Sequence, residues 1–327
     1  MISQRKSAFK RLLSARKKAI WERAAKQWIV KINRMCYINP FSYSLSRDHA
    51  AMNVHAGTIQ SQSARSSDHG LTLLLEKVYA EKGWDFRGYK RTTLSRRVTK
   101  LLHASRASSY GEYFDLLDRD PSEYYRLFSA VTIKVSEFFR EPEVFDSLSR
   151  ILRTELSGGP IKAWCCGCAY GEEAYSLGML FSEVMPANDF ASSRIFATDI
   201  DCDALDQARR ASYREEAVAN VPEGLRDKYF MRSEGLLKVG ANLRSLVRFG
   251  TLDIVQSPSI KGVSVLFCRN LFIYFNKPLQ ESVFQKLDYA LKIGGVLVMG
   301  KAEVLPGSYA DRYASAGPGL NMYRKLR

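Results

Sequence analysis

Residues 164–178, WCCGCAYGEEAYSLG, combine three kinds of residue that could carry chemistry: glycines, two adjacent acids and three cysteines. Gly167 and Gly171 would let the backbone turn tightly and approach a ligand, at the point where the amides of a helix start face it. Glu172 and Glu173 would enter the first turn of that helix and repel a phosphate. The pattern therefore favours a cationic ligand over a dinucleotide.

A further acid, Asp199, stands at the end of the next apolar segment, RIFATDID. Asp199 stands 28 residues after Gly171, and an acid at this place typically accepts hydrogen bonds from ribose hydroxyls. A ribose, an ammonium, a sulfonium and no phosphate describe S-adenosylmethionine, which we expect as the cofactor. The alternative is that Asp199 and Asp201 only cap the following helix.

The cysteines could instead indicate a metal or redox site. Cys165, Cys166 and Cys168 have no fourth ligand at C-x-x-C spacing, and the four histidines all lie upstream, at 49, 55, 69 and 103. A zinc site normally has four N or S ligands. We therefore expect small buried side chains here and no metal. Because all four histidines lie upstream of the predicted sheet, a Ser-His-Asp hydrolase is also disfavoured.

Strands and helices alternate after residue 158, which predicts an α/β fold with a parallel, doubly wound sheet over 156–327 and a short β-subdomain near 225–248. Residues 69–155 show helical periodicity and predict a small all-helical domain. Residues 1–68 are predicted to be a basic extension and linker, disordered or partly helical.

The charge of +15 is uneven, because residues 1–34 carry eleven Lys and Arg against the single Glu22. A basic chain suggests nucleic acid or an acidic membrane, yet here two thirds of the excess belongs to one segment. No apolar run is long enough to span a bilayer and no signal peptide opens the chain, so a cytoplasmic location without membrane insertion is expected.

Seven ordered motifs resemble the CheR family of methyltransferases that act on chemotaxis receptors: YKRTTLSRRV, SEFFRE, GEEAYS, ATDID, KYFMR, FCRNLFIYF and LKIGGVLVMGKAE. They cover about residues 70–327. The resemblance implies a helical domain followed by a Rossmann-like class I methyltransferase sheet. It also implies S-adenosylmethionine as methyl donor, S-adenosylhomocysteine as product, and glutamates in the cytoplasmic helical region of a receptor as acceptors.

The resemblance also assigns site residues. Ser136 and Arg140 would lie over the cofactor, Glu172 (or else Glu173) would face its ammonium, and Asp199 its ribose. Asp253 and Ile254 would lie close to its adenine. Arg140 and Tyr274 would be the catalytic residues, with a structural ion pair and a core tyrosine as their respective alternatives. The full cofactor-binding set is Lys134, Ser136, Arg140, Gly167, Gly171, Glu172, Asp199, Asp253, Ile254, Arg269 and Asn270, of which the last two would sit near the transferred methyl group.

The chain departs from the family pattern at Lys134 and Asp253, where Asn is usual, and at Ala169, Tyr170 and Ala174 in the first turn. These departures leave open a non-catalytic S-adenosylmethionine-binding regulator. A nucleic-acid methyltransferase is a third alternative, which the missing N-P-P-Y motif disfavours. The basic face of a predicted helix at 87–100 would dock acidic receptor helices, unless it is only a solvated face; it comprises Arg87, Lys90, Arg91, Arg96, Arg97 and Lys100.

Overall fold

The computed structural model describes residues 59–156 and 158–327. The predictions for the basic arm at 1–34 and for most of the linker lie outside this range. The described chain begins with four helices: α1 (Ile59–Lys82), α2 (Arg91–Ala104), α3 (Tyr110–Arg119) and α4 (Glu123–Val131). Their apolar faces form one cluster around Leu74, Val78, Leu94, Val98 and Tyr113.

The helix that follows, α5 (Pro142–Thr154), belongs physically to the sheet. Val144, Leu148 and Ile151 are buried in a cluster with residues of the sheet, whereas the helical cluster ends at Val131. The packing therefore divides the chain near residue 132, before the predicted boundary at 155. Helical periodicity shows that α5 has an apolar face but does not show which element covers that face. The sequence therefore placed the domain boundary after α5, whereas the packing places it before.

The remaining elements alternate along the chain. They are β1 (Lys162–Cys166), α6 (Glu172–Val184), α7 (Ala187–Ser192), β2 (Arg194–Asp199), α8 (Cys202–Arg210), β3 (Ser212–Tyr213), α9 (Glu223–Tyr229), β4 (Phe230–Ser233), β5 (Leu236–Val239), α10 (Ala241–Leu246), β6 (Val247–Thr251), β7 (Val263–Cys268), α11 (Lys277–Ala290), β8 (Leu291–Met299), β9 (Tyr313–Ser315) and β10 (Met322–Lys325).

Seven strands form one sheet in the order β6-β2-β1-β7-β8-β10-β9. The first five are parallel, and β10 and β9 are antiparallel additions at one edge. Side chains along β1 alternate between two apolar clusters, Ala163 and Cys165 on one face and Trp164 and Cys166 on the other. The predicted α/β fold is confirmed, with both faces of the sheet covered, as parallel sheets require.

The strand order reverses beside β1, because the chain runs outward to β2 and β6 and then returns to β7. Loops after the carboxyl ends of strands on either side of such a point leave a crevice, which is where ligands bind in open α/β sheets. The turn after β1, the end of β2 and the loop after β7 all meet there.

A second, three-stranded antiparallel sheet has the order β3-β5-β4. Its hairpin, β4 and β5, lies within the predicted β-subdomain at 225–248, and Ser212–Tyr213 adds a third strand from outside that range. A two-residue strand has no periodicity to read, so the sequence could not indicate it.

Gly171 is where the turn after β1 most depends on glycine. Its φ is +91°, and an added Cβ would lie 2.9 Å from the Ala208 Cβ and 3.0 Å from Phe249 Cζ. Gly158 has nearly the same φ, +92°, with nothing within 4 Å. It therefore provides a matched control for the backbone strain alone.

We expect Gly171→Ala to lower the free energy of unfolding by about 1–3 kcal/mol more than Gly158→Ala, because only the first substitution adds overpacking to the unfavourable φ. Urea unfolding followed by circular dichroism measures both. Equal losses in the two variants would contradict the packing argument.

Candidate active site

The turn after β1 is tied to the end of β2. The amides of Gly167 and Cys168 donate to the Thr198 carbonyl at 2.8 and 3.0 Å. Ala169 takes a left-handed conformation, φ +45°, and its amide donates to the Asp199 Oδ2 at 2.8 Å. This departure from the family pattern therefore places an alanine where the backbone favours glycine, and the hydrogen bond to Asp199 holds it there.

Asp199 and Asp201 have different roles. Asp201 caps α8, since its Oδ1 accepts from the Ala204 amide at 2.9 Å. Asp199 instead accepts amide hydrogen bonds from both loops, from Ala169 and, at 3.0 Å, from Asp201. Burial raises the pKa of Asp199, while these amides lower it. Its carboxylate is thus fixed at the crevice with lone pairs left to accept, so the capping alternative fits Asp201 only.

Glu172 is the predicted site residue whose carboxylate the protein satisfies only in part. The residue is 5% exposed, and its Oε2 has no hydrogen-bond partner among the described residues. Burial raises the pKa of Glu172 to about 7, and a hydrogen bond with Ser136 lowers it. An orphaned, buried carboxylate oxygen costs free energy unless a cation or donor pairs with it. The residue therefore fits the ammonium group of the expected cofactor.

Glu173 is already paired inside the protein. Its Oε2 lies 2.9 Å from Nη1 of Arg269, and the Arg269 Nη2 lies 3.1 Å from Oε2 of Glu141 and donates to the Arg140 carbonyl at 2.9 Å. Burial raises the pKa of Glu173, and Arg269 lowers it. Of the two acids that the sequence left open, only Glu172 has a buried oxygen without a hydrogen-bond partner among the described residues.

The loop after β7 is anchored by a residue to which the sequence analysis assigned no role. Glu303 is buried, and its carboxylate accepts from the amides of Asn270 at 2.9 Å, Phe272 at 2.7 Å and Gly300 at 2.7 Å. Asn270 is held at φ +59°. An acid directly after the last parallel strand was the available signal, but its partners are main-chain groups that no sequence pattern shows.

A shallow cleft opens beside this loop. It brings together five predicted site residues, Ser136, Arg140, Gly167, Arg269 and Asn270, and its lining also includes Val135, Glu137 and Glu173. Among the described residues no ion pair includes Arg140. The alternative interpretation of Arg140, a structural ion pair, is therefore not supported. Arg269, in contrast, uses its guanidinium in the internal pairs described above.

Tyr274 is half-buried next to the cleft residues. The guanidinium of Arg97 lies 5.7 Å from the centre of its ring. Burial raises the pKa of the Tyr274 phenol, and the positive charges of Arg97 and Arg140 lower it. Tyr274 is thus within electrostatic reach of Arg140, as expected for two residues of one site.

Six predicted cofactor residues lie outside the lining of this cleft: Gly171, Glu172 and Asp199, which are described above, and Lys134, Asp253 and Ile254. Lys134 pairs with Asp201 across the crevice. Asp253 accepts from the Val255 amide and from Gln256 Nε2, both at 2.8 Å. Ile254 has its side chain buried in the sheet core, so only its backbone could face a ligand.

Cys165, Cys166 and Cys168 are buried, and burial raises the pKa of the Cys165 and Cys168 thiols. Within residues 59–156 and 158–327, no group of three or more His, Cys, Asp or Glu side chains could hold a metal ion. Over the same residues, no helix combines the length and the apolar character needed to cross a bilayer.

The basic face at 87–100 differs from the prediction in two ways. Helix α2 begins only at Arg91, so Arg87 and Lys90 precede it. Three of the six cations are engaged: Arg87 pairs with Asp85, Arg91 approaches Asp68, and Arg97 donates to the Val131 carbonyl at 2.7 Å. Of these six, Lys90, Arg96 and Lys100 are exposed and make no ion pair with another described residue. We call these three the basic patch.

The sheet order, the acidic turn and the carboxylate at the end of β2 define a Rossmann-like, class I, S-adenosylmethionine-dependent methyltransferase. Residues 134–317 match the CheR methyltransferase SAM binding domain, and residues 69–132 match the CheR methyltransferase all-alpha domain. The chain belongs to the CheR methyltransferase family.

The relatives of this chain include proteins that are named as methyltransferases. Chemotaxis protein methyltransferase 2 of Pseudomonas aeruginosa is 32% identical over 70% of this chain and 84% of its own length. The chemotaxis protein methyltransferase of Escherichia coli is 28% identical over 72% and 85%. An uncharacterized 104.1 kDa protein of Rhodobacter capsulatus is 29% identical over 68% of this chain, which spans only 24% of that protein.

Among solved structures, a SAM-dependent methyltransferase of Thiobacillus denitrificans in complex with S-adenosyl-L-homocysteine is similar over 51% of this chain and 50% of its own, at 16% identity and a TM-score of 0.30.

We expect Glu303→Gln to lower the free energy of unfolding by about 3 kcal/mol, because the amide NH₂ would face backbone donors that now share a carboxylate. Methyl transfer should fall with it, since Asn270 loses its anchor. Thermal unfolding and activity are the measurements, with the exposed Glu281→Gln as control. A Glu303→Gln protein as stable as the control would contradict this role.

Proposed function

We propose that this chain transfers a methyl group from S-adenosylmethionine to glutamate carboxylates in the cytoplasmic helical region of chemotaxis receptors. The observation that carries the proposal is the pairing of opposite, uncompensated charges at one crevice. Glu172 has an orphaned carboxylate oxygen for a cation, and Arg140 on the cleft wall has no ion-pair partner among the described residues and suits an anion. The names of the relatives support the receptor as substrate.

In this proposal the cofactor is held at three points. Glu172 pairs with its ammonium, Asp199 accepts from its ribose hydroxyls, and the turn from Gly167 to Gly171 allows the backbone to approach it closely. Ser136 and Asn270 complete the wall on either side. When bound, the cofactor supplies a methyl group activated by a positively charged sulfur.

The acceptor needs little activation. A glutamate with a pKa of about 4.3 is already ionised near neutral pH, so a carboxylate oxygen can form the new C–O bond as the S–CH₃ bond breaks. The chain must align and desolvate that carboxylate, which are positioning and electrostatic tasks. Arg140 can hold it by two parallel hydrogen bonds, and Tyr274 can donate one or place its ring beside the sulfonium.

The raised pKa of Glu172 makes cofactor binding depend on pH. Only the ionised carboxylate pairs with an ammonium, so lowering the pH through about 7 protonates Glu172 in the free protein and weakens binding. We expect the affinity for S-adenosylhomocysteine to fall about tenfold from pH 8 to pH 6. Calorimetry measures it; Glu172→Gln should bind more weakly at pH 8 and lose most of this dependence. A dependence retained in that variant would contradict the role of Glu172.

We expect Arg140→Lys to lower kcat about 100-fold, because a point charge cannot reproduce the two-point grip on a carboxylate. The variant should remain folded, since no ion pair of the described chain includes Arg140. Initial rates with receptor fragments are the measurement, and Arg150→Lys on the exposed face of α5 is the control. A kcat within threefold of wild type would contradict a catalytic role.

The basic patch is the proposed docking surface for acidic receptor helices. Replacing Lys90, Arg96 and Lys100 together by alanine should raise KM for a receptor fragment about fivefold at low salt, with KM for S-adenosylmethionine unchanged. A triple variant that removes the same charge elsewhere, at Arg150, Arg153 and Lys292, is the control. Equal effects of the two variants, or receptor binding that does not weaken with salt, would contradict docking here.

One experiment separates the proposed activity from its alternatives. The protein is incubated with methyl-labelled S-adenosylmethionine and either receptor cytoplasmic fragments or RNA. Base-labile label on the receptor, absent when the acceptor glutamates are changed to alanine, supports the proposal. Label on RNA would identify a nucleic-acid methyltransferase, and cofactor binding without transfer to either would identify a regulator.

A further inference from the structure

The segment 83–90, between α1 and α2, connects the helical part to the loops of the crevice. Gln256 Nε2 donates to the Gly83 carbonyl at 2.6 Å and to Asp253 Oδ2 at 2.8 Å. The Asn276 amide donates to the Gly88 carbonyl at 2.9 Å, and the Lys90 amide to the Tyr274 carbonyl at 2.7 Å. The segment is therefore fixed to the loops after both β6 and β7.

Tyr89 lies at the centre of this junction. It packs against both the helical cluster and one face of the sheet, with its ring edge-on to Phe86 at 5.2 Å and to Phe275 at 5.1 Å between centroids. Its backbone forms an isolated antiparallel bridge with Phe275. The helical cluster also covers Ile200, the residue that directly follows Asp199. The helical part thus covers the carboxyl end of β2 itself.

Burial raises the pKa of the Tyr89 phenol, and the negative charges of Asp253, Asp199 and Asp85 raise it further. Asp253 and Asp199 are the acids expected at the adenine and ribose ends of the cofactor. The junction reaches both: Gln256 joins Asp253 to Gly83, and the helical cluster covers Ile200 beside Asp199. The cleft lined by Arg140 and Asn270 has neither of them in its lining.

We propose that Tyr89 closes the nucleoside half of the cofactor site, with its ring as a wall against the adenosine and its hydroxyl toward Asp199 and Asp253. This inference rests on the proposed function. It makes the helical part a component of the cofactor site as well as a docking module. Tyr89 is the first residue of the motif YKRTTLSRRV, but the sequence indicated only a docking role for that segment, because Tyr89 lies far along the chain from the sheet.

Binding of two ligands tests the proposal. S-adenosylhomocysteine carries both halves of the cofactor, whereas 5′-methylthioadenosine carries the nucleoside without the amino acid. We expect Tyr89→Leu to weaken both ligands by the same factor, about tenfold, because loss of an aromatic wall against a base has this size. Glu172→Gln should weaken only S-adenosylhomocysteine. Tyr125→Leu, at an exposed tyrosine of α4, is the control and should change neither.

Tyr89→Phe keeps the packing and removes only the hydroxyl, so it remains informative if the leucine variant unfolds. We expect it to melt near the wild-type temperature and to bind both ligands about threefold more weakly. Wild-type affinity for both ligands in either folded variant would overturn the proposal. Failure of the wild-type protein to bind S-adenosylhomocysteine would instead overturn the proposed function on which it rests.

Discussion

The crevice depends on one buried guanidinium. Arg269, at the end of β7, pairs with Glu173 at the start of α6 and with Glu141 before α5, and it donates to the Arg140 carbonyl. Removing these charges from water is costly, and the attraction compensates only where the groups are paired. Both terminal nitrogens of Arg269 are paired here, and only its Nε has no hydrogen-bond partner among the described residues. The arrangement therefore stabilises a single position of the segment 132–141 across the carboxyl ends of the strands. Arg140, on the same segment, is thereby aimed into the cleft.

This segment is where the helical part, the sheet and the cofactor site meet. Its ends are held by different elements: Lys134 pairs with Asp201, and the Phe139 amide donates to Ser176 at 2.9 Å on α6. Val135, between them, is 61% exposed and lines the cleft. A short strip of chain is thus fixed at both ends while its middle faces solvent, so an acceptor side chain can reach the site beside it.

The sequence predicted the parts of this site that are local. The glycine turn, the first-turn acids and Asp199 each follow from what a strand-to-helix connection needs, and all three occur at the same end of the sheet. What it could not predict are contacts between distant segments. Glu303 acts on main-chain amides some thirty residues earlier, Tyr89 reaches the crevice from the helical part, and α5 packs on the sheet. In each case the local sequence pattern is ordinary, and the role of the residue follows only from its tertiary contacts.

The departure from the family pattern at Lys134 is explained by its ion-pair partner. Lys134 replaces the usual Asn, and its charge pairs with the buried Asp201. The negative charge of Asp201 raises the pKa of the neighbouring Asp199. Lys134 places a positive charge against Asp201, so the buried carboxylate next to the expected ribose site is paired. A substitution that suggested weakened cofactor binding is thus electrostatically matched to an acid of the same crevice, which favours an intact site over a lost one.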